Sequence, residues 1–330
     1  MTIYKALFVQ EIENGQYQKS IVERNTDDLP EGDLLIKVRY SSLNFKDAMS
    51  AHGNKGVTRK FPHQPGIDAA GVVEQSASNA FKVGDKVIVT GYDLGMNTAG
   101  GLGQYIRVPA HWVVKCPEGM SLKQSMHFGT AGLTAALCIN KLVLNGLTPD
   151  QGPVLVTGAT GGVGGIAVML LAKLGYKVVA SSGKVDQKDF LISIGASEVI
   201  ERTELAAENK RPMLKELYAA AIDVAGGNTL SNVIKSVKYG GSVASCGLVQ
   251  AADFSSSVFP FILRNVNLLG VDSVELPLPM KAKIWQQLSS FAEISSLGLL
   301  NEEIRLEQVV EHLDRLYTGG MIGHILVDMG

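Results

Sequence analysis

A glycine-rich stretch at residues 154–165, with the sequence VLVTGATGGVGG, has the composition of a phosphate-binding turn. Within it, Ala159, Gly161 and Gly164 have the spacing of the alanine form of the dinucleotide-binding fingerprint. Ala159 allows a tight turn after a strand, Gly161 lets the backbone approach a pyrophosphate, and Gly164 lets the next helix pack closely on the sheet. That helix would present free N–H groups and the positive end of its dipole to phosphates. The stretch therefore predicts dinucleotide binding.

The turn after the next predicted strand, residues 176–180, indicates which dinucleotide is bound. An NAD enzyme places an acidic residue about 20 residues past the glycines, where it binds the ribose 2′-hydroxyl. This chain has Ser182, Gly183 and Lys184 there, and a hydroxyl and a cation suit a 2′-phosphate that a carboxylate would repel. The pattern therefore predicts NADP(H). Two alternatives are that Lys184 is a solvated surface residue and that Asp186, beyond the turn, serves an NAD enzyme.

Composition narrows the class of protein. The chain has 330 residues, of which 46% are apolar and 19% charged, as in a globular protein of two domains. A net charge of −2 argues against a nucleic-acid or anionic-membrane surface. The three cysteines have no CxxC spacing, so neither a disulfide framework nor a zinc ribbon is predicted. We see neither a signal sequence nor an apolar run of about 18 residues, and we expect a cytoplasmic protein.

The remaining sequence divides into a β-rich part and an alternating part. Residues 1–122 contain short apolar runs broken by Gly and Pro, which predicts a small barrel-like β domain. From about Ser121 the spacing becomes helical, and from Val154 strands and helices alternate as in a parallel sheet. The C-terminal residues return to β structure. We expect an α/β protein with a catalytic domain at residues 1–122 and 296–330 and a doubly wound Rossmann domain at residues 123–295.

Four further stretches resemble one family. The sequences SSLNFKDA at residues 41–48 and PGIDAAG at 65–71 resemble the first domain of zinc-free members of the medium-chain dehydrogenase/reductase superfamily. FPFILRNV at 259–266 and LGVDSV at 269–274 are similar to its quinone oxidoreductase branch, which includes NADPH-dependent acryloyl-CoA reductases. The resemblance covers essentially the whole chain. It implies a GroES-like β-barrel domain, a Rossmann domain that binds NADP(H), and reduction of acryloyl-CoA or a related short enoyl thioester.

The zinc ligands of related alcohol dehydrogenases have no counterpart in this sequence. Those enzymes place a Cys early in the first domain and a Gly-His-Glu further on, where this chain has Asn44 and the tripeptide Gly-Ile-Asp at residues 66–68. Residues 92–103 also lack the cysteines of a structural zinc lobe. Catalytic zinc needs about three protein ligands. We expect no metal, although His52 and His63 remain as scattered candidates.

Without a metal, enoyl thioester reduction needs hydride for the β-carbon, hydrogen-bond donors for the enolate oxygen and a proton for the α-carbon. The resemblance implies Asn44 near the nicotinamide or substrate, Phe45 packed on the nicotinamide, and Asp47 supporting the site. Relatives usually carry Tyr at the position of Phe45, so a required proton would come from water, Tyr92 or Asn44. The alternatives are that Asn44 only forms a turn and that Asp47 forms an exposed ion pair with Lys46.

The resemblance also implies a set of cofactor contacts. The pyrophosphate would be held by Thr160, Gly161, Gly162 and Val163, the 2′-phosphate by Ser182, Gly183, Lys184 and Arg202, and the nicotinamide end by Phe45, Leu248, Ile262 and Ser273. Arg202 has the alternative of an ion pair with Glu201 or Glu204. Leu248 and Ile262 are equally interpretable as core residues, and Cys246 as a small buried residue rather than a nucleophile.

Three functions share these cofactor contacts: an enoyl thioester reductase, a quinone or enone reductase, and an NADPH-binding sensor without turnover. Relatives often have Arg at the position of His324. If that Arg binds CoA, His324 weakens CoA binding or makes it pH-dependent, and with Phe45 it favours a quinone. We expect a small-molecule substrate and no nucleic-acid or membrane partner. The apolar stretch at residues 266–274 predicts an exposed sheet edge, so we expect a homodimer joined through it.

Overall fold

The computed structural model describes all 330 residues, apart from the side chains of Asn14 and Val185. The chain forms two compact units. The first contains Met1–Leu133, Ser273–Glu293 and Asn301–Gly330, and the second contains Thr134–Asp272 and Ile294–Leu300. The first unit includes the C-terminal residues and also residues 273–293, a stretch that the sequence analysis assigns to the Rossmann domain.

The secondary structure consists of fifteen strands and ten α-helices. The strands are β1 (Ile3–Glu11), β2 (Tyr17–Asn25), β3 (Leu34–Leu43), β4 (Asp68–Ser76), β5 (Lys86–Thr90), β6 (Tyr105–Val108), β7 (Val113–Lys115), β8 (Val154–Thr157), β9 (Val178–Ser182), β10 (Glu198–Glu201), β11 (Tyr218–Asp223), β12 (Val237–Ser245), β13 (Asn267–Gly270), β14 (Asn301–Arg305) and β15 (His324–Asp328). The helices are α1 (Phe45–Ala51), α2 (Leu122–Leu144), α3 (Gly162–Lys173), α4 (Lys188–Ser193), α5 (Thr203–Ala206), α6 (Gly227–Ser236), α7 (Phe259–Arg264), α8 (Leu278–Ser289), α9 (Ser295–Leu300) and α10 (Val309–Tyr317).

A seven-stranded mixed sheet organises the first unit. Its order is β14-β15-β3-β4-β5-β7, with β6 also paired to β3. Apolar residues of these strands, such as Ile36, Val38 and Ile106, are buried in one core. The C-terminal β15 pairs antiparallel with β3, so that Ile325 lies opposite Leu43. This pairing brings the start of β15 close to the end of β3, where the polar residues of the candidate site begin.

A six-stranded parallel sheet organises the second unit. Its order is β10-β9-β8-β11-β12-β13, and every neighbouring pair is parallel. Numbered within the sheet this is the 3-2-1-4-5-6 order of the Rossmann fold. The strands β8 and β11 are buried along their whole length, because helices cover both faces of such a sheet. The α/β prediction with a doubly wound sheet is confirmed.

Two sequence-based expectations about single elements are wrong. The edge strand β13 covers only Asn267–Gly270, shorter than the expected strand at residues 266–274. The helix α2 is long and apolar enough to cross a membrane, by length and composition, although we had expected no such stretch. Most of its apolar window is buried inside the protein, which is the pattern of a core helix. It is also interrupted at Gly129, whose φ is 51° and ψ is −156°.

Candidate active site and dinucleotide site

The glycine-rich turn of the second unit has the geometry of a phosphate-binding turn. Gly158 follows β8 with a φ of 60°, and α3 begins at Gly162. A Cβ on Gly164 would lie 2.3 Å from the Gly158 carbonyl oxygen, so the helix can approach the turn only with glycine there. A Cβ on Gly161 would meet nothing closer than 3.4 Å, which leaves open space beside its backbone. Thr160, Gly162 and Val163 complete the turn at the amino end of α3, where N–H groups are free for an anion.

The predicted 2′-phosphate residues come together at the ends of β9 and β10. The Ser182 hydroxyl lies 3.2 Å from the Thr160 hydroxyl and accepts a hydrogen bond from the Lys184 backbone N–H at 3.0 Å. The Arg202 N–H donates to the Ser182 carbonyl at 2.8 Å. The Arg202 guanidinium lies against Gly183, where a Cβ would be 2.9 Å from its Cζ. Burial lowers the pKa of Lys184, and the charge of Asp186 opposes this shift. Lys184 and Arg202 are therefore two cations that flank the turn at Gly183.

In the first unit, a buried carboxylate organises the polar residues that follow β3. Asp68 Oδ2 accepts hydrogen bonds from the Ser42 hydroxyl at 2.6 Å, the Asn44 amide at 2.8 Å and the Thr130 N–H at 2.8 Å. Asp68 Oδ1 accepts from the Thr130 hydroxyl at 2.5 Å. The Asn44 amide makes its other contact, with the Ser42 carbonyl, at 3.4 Å. Asp68 therefore fixes the orientation of the Asn44 side chain and leaves one amide hydrogen only weakly bonded.

Asp47 is a second buried carboxylate beside this cluster. Its Oδ2 accepts from the Asn44 N–H at 2.8 Å and its Oδ1 from the Ile67 N–H at 2.9 Å. Asn44 is the N-cap of α1 and Asp47 occupies the N3 position, an arrangement in which the carboxylate caps the helix. Burial, with the neighbouring Asp68 charge, raises the pKa of Asp47 to about 7. The alternative of an exposed ion pair with Lys46 is wrong, because Asp47 is fully buried.

His324 completes the cluster from β15. A Cβ on Gly129 would lie 2.3 Å from Ser42 Oγ, 2.6 Å from Asp68 Oδ2 and 3.1 Å from His324 Nε2, so these three groups converge on the break in α2. The buried Nε2 of His324 has no hydrogen-bond partner among the described residues. Burial lowers the pKa of His324 to about 4, and Asp68 opposes the shift. The ring is therefore neutral near pH 7.

Phe45 lies at the edge of the cluster and is 43% exposed. Its ring is nearly parallel to that of Tyr317, with centroids 6.3 Å apart and an interplanar angle of 11°. The other ring stacked on Tyr317 is His52, at 3.9 Å. His52 is held by the Ala48 carbonyl at 2.8 Å and by Asp314 at 3.1 Å. A phenol thus lies beside Phe45, a residue that sequence reasoning missed because the two are far apart in the chain.

Tyr92, one of the candidate proton donors, makes other contacts. Its hydroxyl donates to the Leu276 carbonyl at 2.9 Å, and its ring stacks on Trp112 at 5.9 Å. The buried Lys281 ammonium lies 3.6 Å from the centre of the ring and donates to the Thr90 carbonyl at 2.7 Å. Partial burial raises the pKa of Tyr92. These contacts indicate a structural role.

The three residues predicted at the nicotinamide end besides Phe45 have different surroundings. Leu248 follows β12, and Ile262, on α7, is 68% exposed. Ser273 is buried in the first unit, where its carbonyl would lie 3.4 Å from a Cβ on Gly91.

His52 and His63, the histidines considered as metal ligands, are hydrogen-bonded to other groups of the protein. His63 Nε2 lies 2.9 Å from the Gly95 carbonyl oxygen, and His52 is in the stack described above. Among the residues that the structure describes, no group of three or more His, Cys, Asp or Glu side chains is placed to hold a metal ion.

Two family models match most of the chain. The model described as "Alcohol dehydrogenase GroES-like domain" matches residues 30–118, and "Zinc-binding dehydrogenase" matches residues 162–292. The first match lies within the first unit. The second match covers most of the parallel sheet of the second unit.

Three relatives align along nearly the whole chain. "Putative quinone oxidoreductase YhfP" of Bacillus subtilis is 43% identical over 92% of this chain and 93% of its own. "Acrylyl-CoA reductase AcuI" of Ruegeria pomeroyi is 40% identical over 99% of both chains. The solved structure of the YhdH oxidoreductase from Salmonella enterica, in complex with NADP, has a TM-score of 0.96 and 40% identity over 99% of this chain and 100% of its own. The structure of YhfP with NAD bound also has a TM-score of 0.96, with 41% identity over 99% of this chain and 100% of its own.

These matches confirm the resemblance found in the sequence. They combine a GroES-like first domain with a Rossmann domain, which is the architecture of the two units. The chain belongs to the medium-chain dehydrogenase/reductase superfamily, in the branch of the YhfP and AcuI oxidoreductases.

Proposed function

We propose that this chain is a zinc-independent, NADPH-dependent reductase that transfers hydride to an activated alkene, most specifically acryloyl-CoA or a related short enoyl thioester. The relatives support this reaction class, since one is named an acrylyl-CoA reductase and another was solved with NADP. A quinone or enone is the alternative acceptor, in keeping with the name of YhfP.

The observation that carries the choice of NADPH is the pair of cations at the ends of β9 and β10. Lys184 and Arg202 flank the turn at Gly183, the place where an NAD enzyme has a carboxylate. A 2′-phosphate carries negative charge that two cations stabilise and a carboxylate would repel. The open space beside Gly161 and the amino end of α3 fit the pyrophosphate of the same molecule.

Bound NADPH would supply the hydride, and the residues of the first unit would act on the acceptor. Asp68 holds the Asn44 amide in one orientation, and the amide hydrogen that reaches the Ser42 carbonyl only at 3.4 Å is available to a carbonyl oxygen of the acceptor. Such a donor stabilises the charge that collects on the enolate oxygen. Asp47 acts through Asn44, since it fixes the backbone at the start of α1. We propose that Phe45 provides an apolar surface for the nicotinamide.

We propose Tyr317 as the proton source for the α-carbon. Phe45 has no hydroxyl group, whereas the ring of Tyr317 is stacked beside it and is 44% exposed. The stack with His52 holds the ring in place. A positioned phenol can serve as a general acid, so this tyrosine can replace the hydroxyl that relatives usually carry at position 45.

The test is the initial rate of NADPH oxidation with acryloyl-CoA and, in parallel, with a simple quinone. A saturable rate with acryloyl-CoA would establish the enoyl thioester reaction despite Phe45 and His324. Turnover of the quinone alone would assign the alternative acceptor, which the neutral, buried His324 favours because it offers no cation to CoA. Tight NADPH binding with no turnover of either acceptor would leave the third hypothesis, an NADPH-binding sensor.

We also propose a cytoplasmic homodimer joined through the edge of the parallel sheet. β13 is the edge strand, and Leu268 on this strand has an exposed apolar side chain, as do Val258 and Leu263 shortly before it in the sequence. An open strand edge that carries exposed apolar side chains needs covering. The three cysteines are free thiols, as is usual in a reducing compartment.

The dimer is tested by size-exclusion chromatography with light scattering at micromolar concentration. Leu263→Asp is expected to give a monomer. Ile192→Asp is the matched control, because Ile192 is an exposed apolar residue of α4, which packs beside β10 at the opposite edge of the sheet. A wild-type chain that elutes as a monomer would refute the dimer.

A further inference from the structure

Thr130 donates hydrogen bonds to both oxygens of the buried Asp68 carboxylate. Its hydroxyl donates to Oδ1 at 2.5 Å, and its backbone N–H donates to Oδ2 at 2.8 Å. The Ser42 hydroxyl and the Asn44 amide donate to Oδ2 as well. In the described hydrogen bonds, Thr130 is therefore the residue that holds the carboxylate at two points, whereas Ser42 and Asn44 each hold it at one.

The break in α2 makes this two-point contact possible. Gly129 has a φ of 51° and a ψ of −156°, so a second helical segment begins directly after it. The first N–H groups of a helical segment have no partner within that segment, and the Thr130 N–H donates to Asp68 instead. A Cβ on Gly129 would lie 2.3 Å from Ser42 Oγ and 2.6 Å from Asp68 Oδ2. Glycine at the break therefore leaves the room that the carboxylate occupies.

The Asp68 carboxylate needs such a contact because its own rotamer does not fix its plane. The last torsion of an Asp side chain is broad, so hydrogen bonds decide where the two oxygens point. A rotation of the carboxylate would move Oδ2 away from the Asn44 amide, which now lies at 2.8 Å. The bonds from Thr130 to both oxygens oppose this rotation. They also preserve the orientation in which the second hydrogen of the Asn44 amide is only weakly bonded, at 3.4 Å.

We propose that Thr130 is a positioning residue, which holds the Asp68 carboxylate and, through it, the Asn44 amide in one orientation. Loss of the Thr130 hydroxyl leaves Oδ1 without its described donor, at a cost to the buried carboxylate, and allows the carboxylate to rotate. The Asn44 amide then occupies several orientations. The effect on turnover rests on the proposed function, because it requires this amide to donate to the acceptor, whereas the effect on the amide itself does not.

A purely structural role for the same contacts makes a different prediction. A carboxylate at the amino end of a helical segment stabilises that segment, so Asp68 could serve only to cap the second part of α2. In that case, loss of the Thr130 hydroxyl would lower stability without a specific effect on the Asn44 amide or on kcat.

The first experiment is a double-mutant cycle with Thr130→Val and Asn44→Ala, in which kcat and KM are measured with the acceptor that the wild type reduces. Valine has the shape of threonine without the hydroxyl, and the backbone N–H to Oδ2 remains. Thr130→Val is expected to lower kcat about tenfold at an unchanged KM for NADPH, less than the roughly 10²–10³-fold effect of removing a donor outright. In the Asn44→Ala background the same change is expected to lower kcat by less than about twofold, since the two residues act through one contact.

Two further variants separate positioning from a loss of stability. Thr130→Ser keeps a hydroxyl and is expected to restore kcat to near the wild-type value. Thr26→Val is the matched control, because it removes another buried hydroxyl of the first unit, which accepts from the Thr2 N–H at 3.1 Å, and it should retain the wild-type kcat. If Thr130→Val does not fold, Thr130→Ala takes its place in the cycle. Equal losses of kcat in both backgrounds, or a loss that Thr130→Ser does not restore, would overturn the proposal.

A second experiment follows the Asn44 amide by NMR and does not use activity. The two side-chain protons of Asn44 have different partners, a carboxylate oxygen at 2.8 Å and a carbonyl oxygen at 3.4 Å, so they should give separate signals, which are assigned by their loss in Asn44→Ala. Thr130→Val is expected to shift the proton bonded to Asp68 upfield, and Thr26→Val to leave it in place. An unshifted signal in Thr130→Val would overturn the proposal. If the signal shifts but the wild type reduces neither acceptor, the proposed function fails and the positioning of Asn44 by Thr130 stands.

Discussion

Removing the two cations at the ends of β9 and β10 should separate the affinities for NADPH and NADH. We expect Lys184→Ala and Arg202→Ala each to raise the Kd for NADPH and to leave the Kd for NADH nearly unchanged. The reason is that the two cofactors differ only in the 2′-phosphate, and both cations flank the turn at Gly183. A change in the adenine or pyrophosphate contacts would instead weaken both cofactors together.

The size of the effect follows from the surroundings of each side chain. A charge-assisted hydrogen bond contributes about 1.5–3 kcal/mol, or roughly 10–150-fold in Kd. Lys184 is half-buried and its ammonium is partly desolvated, so we expect its loss to fall toward the upper part of that range. Arg202 is exposed, and solvent screening should place it at the lower part. The double variant should lose less than the sum, because both groups act on one phosphate.

The assay is a fluorescence titration of each variant with NADPH and NADH at fixed ionic strength. Lys177→Ala is the matched control, since Lys177 is exposed and immediately precedes the amino end of β9, the strand whose other end carries the cation site. The control should bind both cofactors like the wild type. Equal losses for NADPH and NADH, or no loss for NADPH, would show that these cations do not bind the 2′-phosphate.

Three further perturbations test other parts of the protein. Gly164→Ala places a Cβ 2.3 Å from the Gly158 carbonyl; urea unfolding should show a loss of about 1–3 kcal/mol, and an unchanged midpoint would contradict the close approach. Tyr317→Phe keeps the stacked ring but removes the phenol, so kcat with acryloyl-CoA should fall by about 100-fold or more at an unchanged KM, and a wild-type kcat would exclude it as the acid. The raised pKa of Asp47, about 7, means that the folded state holds a proton that the unfolded chain has lost, so its contribution to stability falls as pH rises from about 4 to 7. Asp47→Asn removes the titration but loses one of the two acceptors for backbone N–H groups. Its stability relative to the wild type should therefore rise with pH over that window, by at most about 4 kcal/mol in total; a difference that is independent of pH would refute the raised pKa.

The fold of the second unit could be predicted because its signals are local. A strand, a glycine turn and a helix occur in order at residues 154–173, and the alternation continues to the last strand. The cations at Lys184 and Arg202 were also predictable, since each lies just after its strand and the ends of parallel strands share one edge. The exact length of β13 was not predictable, because the apolar pattern in the sequence continues beyond the last residue that pairs in the sheet.

The polar cluster of the first unit could be predicted only in part. The spacing Asn44-x-x-Asp47 is a capping signal that the sequence contains, and it would have indicated that Asp47 faces the backbone rather than Lys46. The role of Asp68 depends on the pairing of β3 with β4 and on the break at Gly129, which bring distant residues to one carboxylate. A local sequence pattern does not predict which distant segments pair.

The contact of Tyr317 with Phe45 belongs to the same class. It joins the end of one helix to the start of another, and neither sequence is unusual by itself. The contact arises only from packing. A sequence therefore identifies the residues that bind a cofactor more readily than the residues that act on the acceptor.

Phe45 and His324 differ from the residues that the family resemblance implies. Phe45 lacks a hydroxyl that could give a proton to the acceptor, and His324 lacks the permanent charge of an arginine that could bind CoA. The cofactor contacts proposed at the glycine turn and at the two cations involve neither residue. Enoyl thioester reduction needs a donor at the enolate oxygen and a proton at the α-carbon, and Asn44 with Tyr317 could supply both without a tyrosine at position 45. The neutral His324 removes a possible charge for CoA but leaves that chemistry intact. A preference for acryloyl-CoA over a quinone, or the reverse, would therefore depend on the residues that bind the acceptor. The ability to transfer hydride to either acceptor would depend on the cofactor site, which both reactions use.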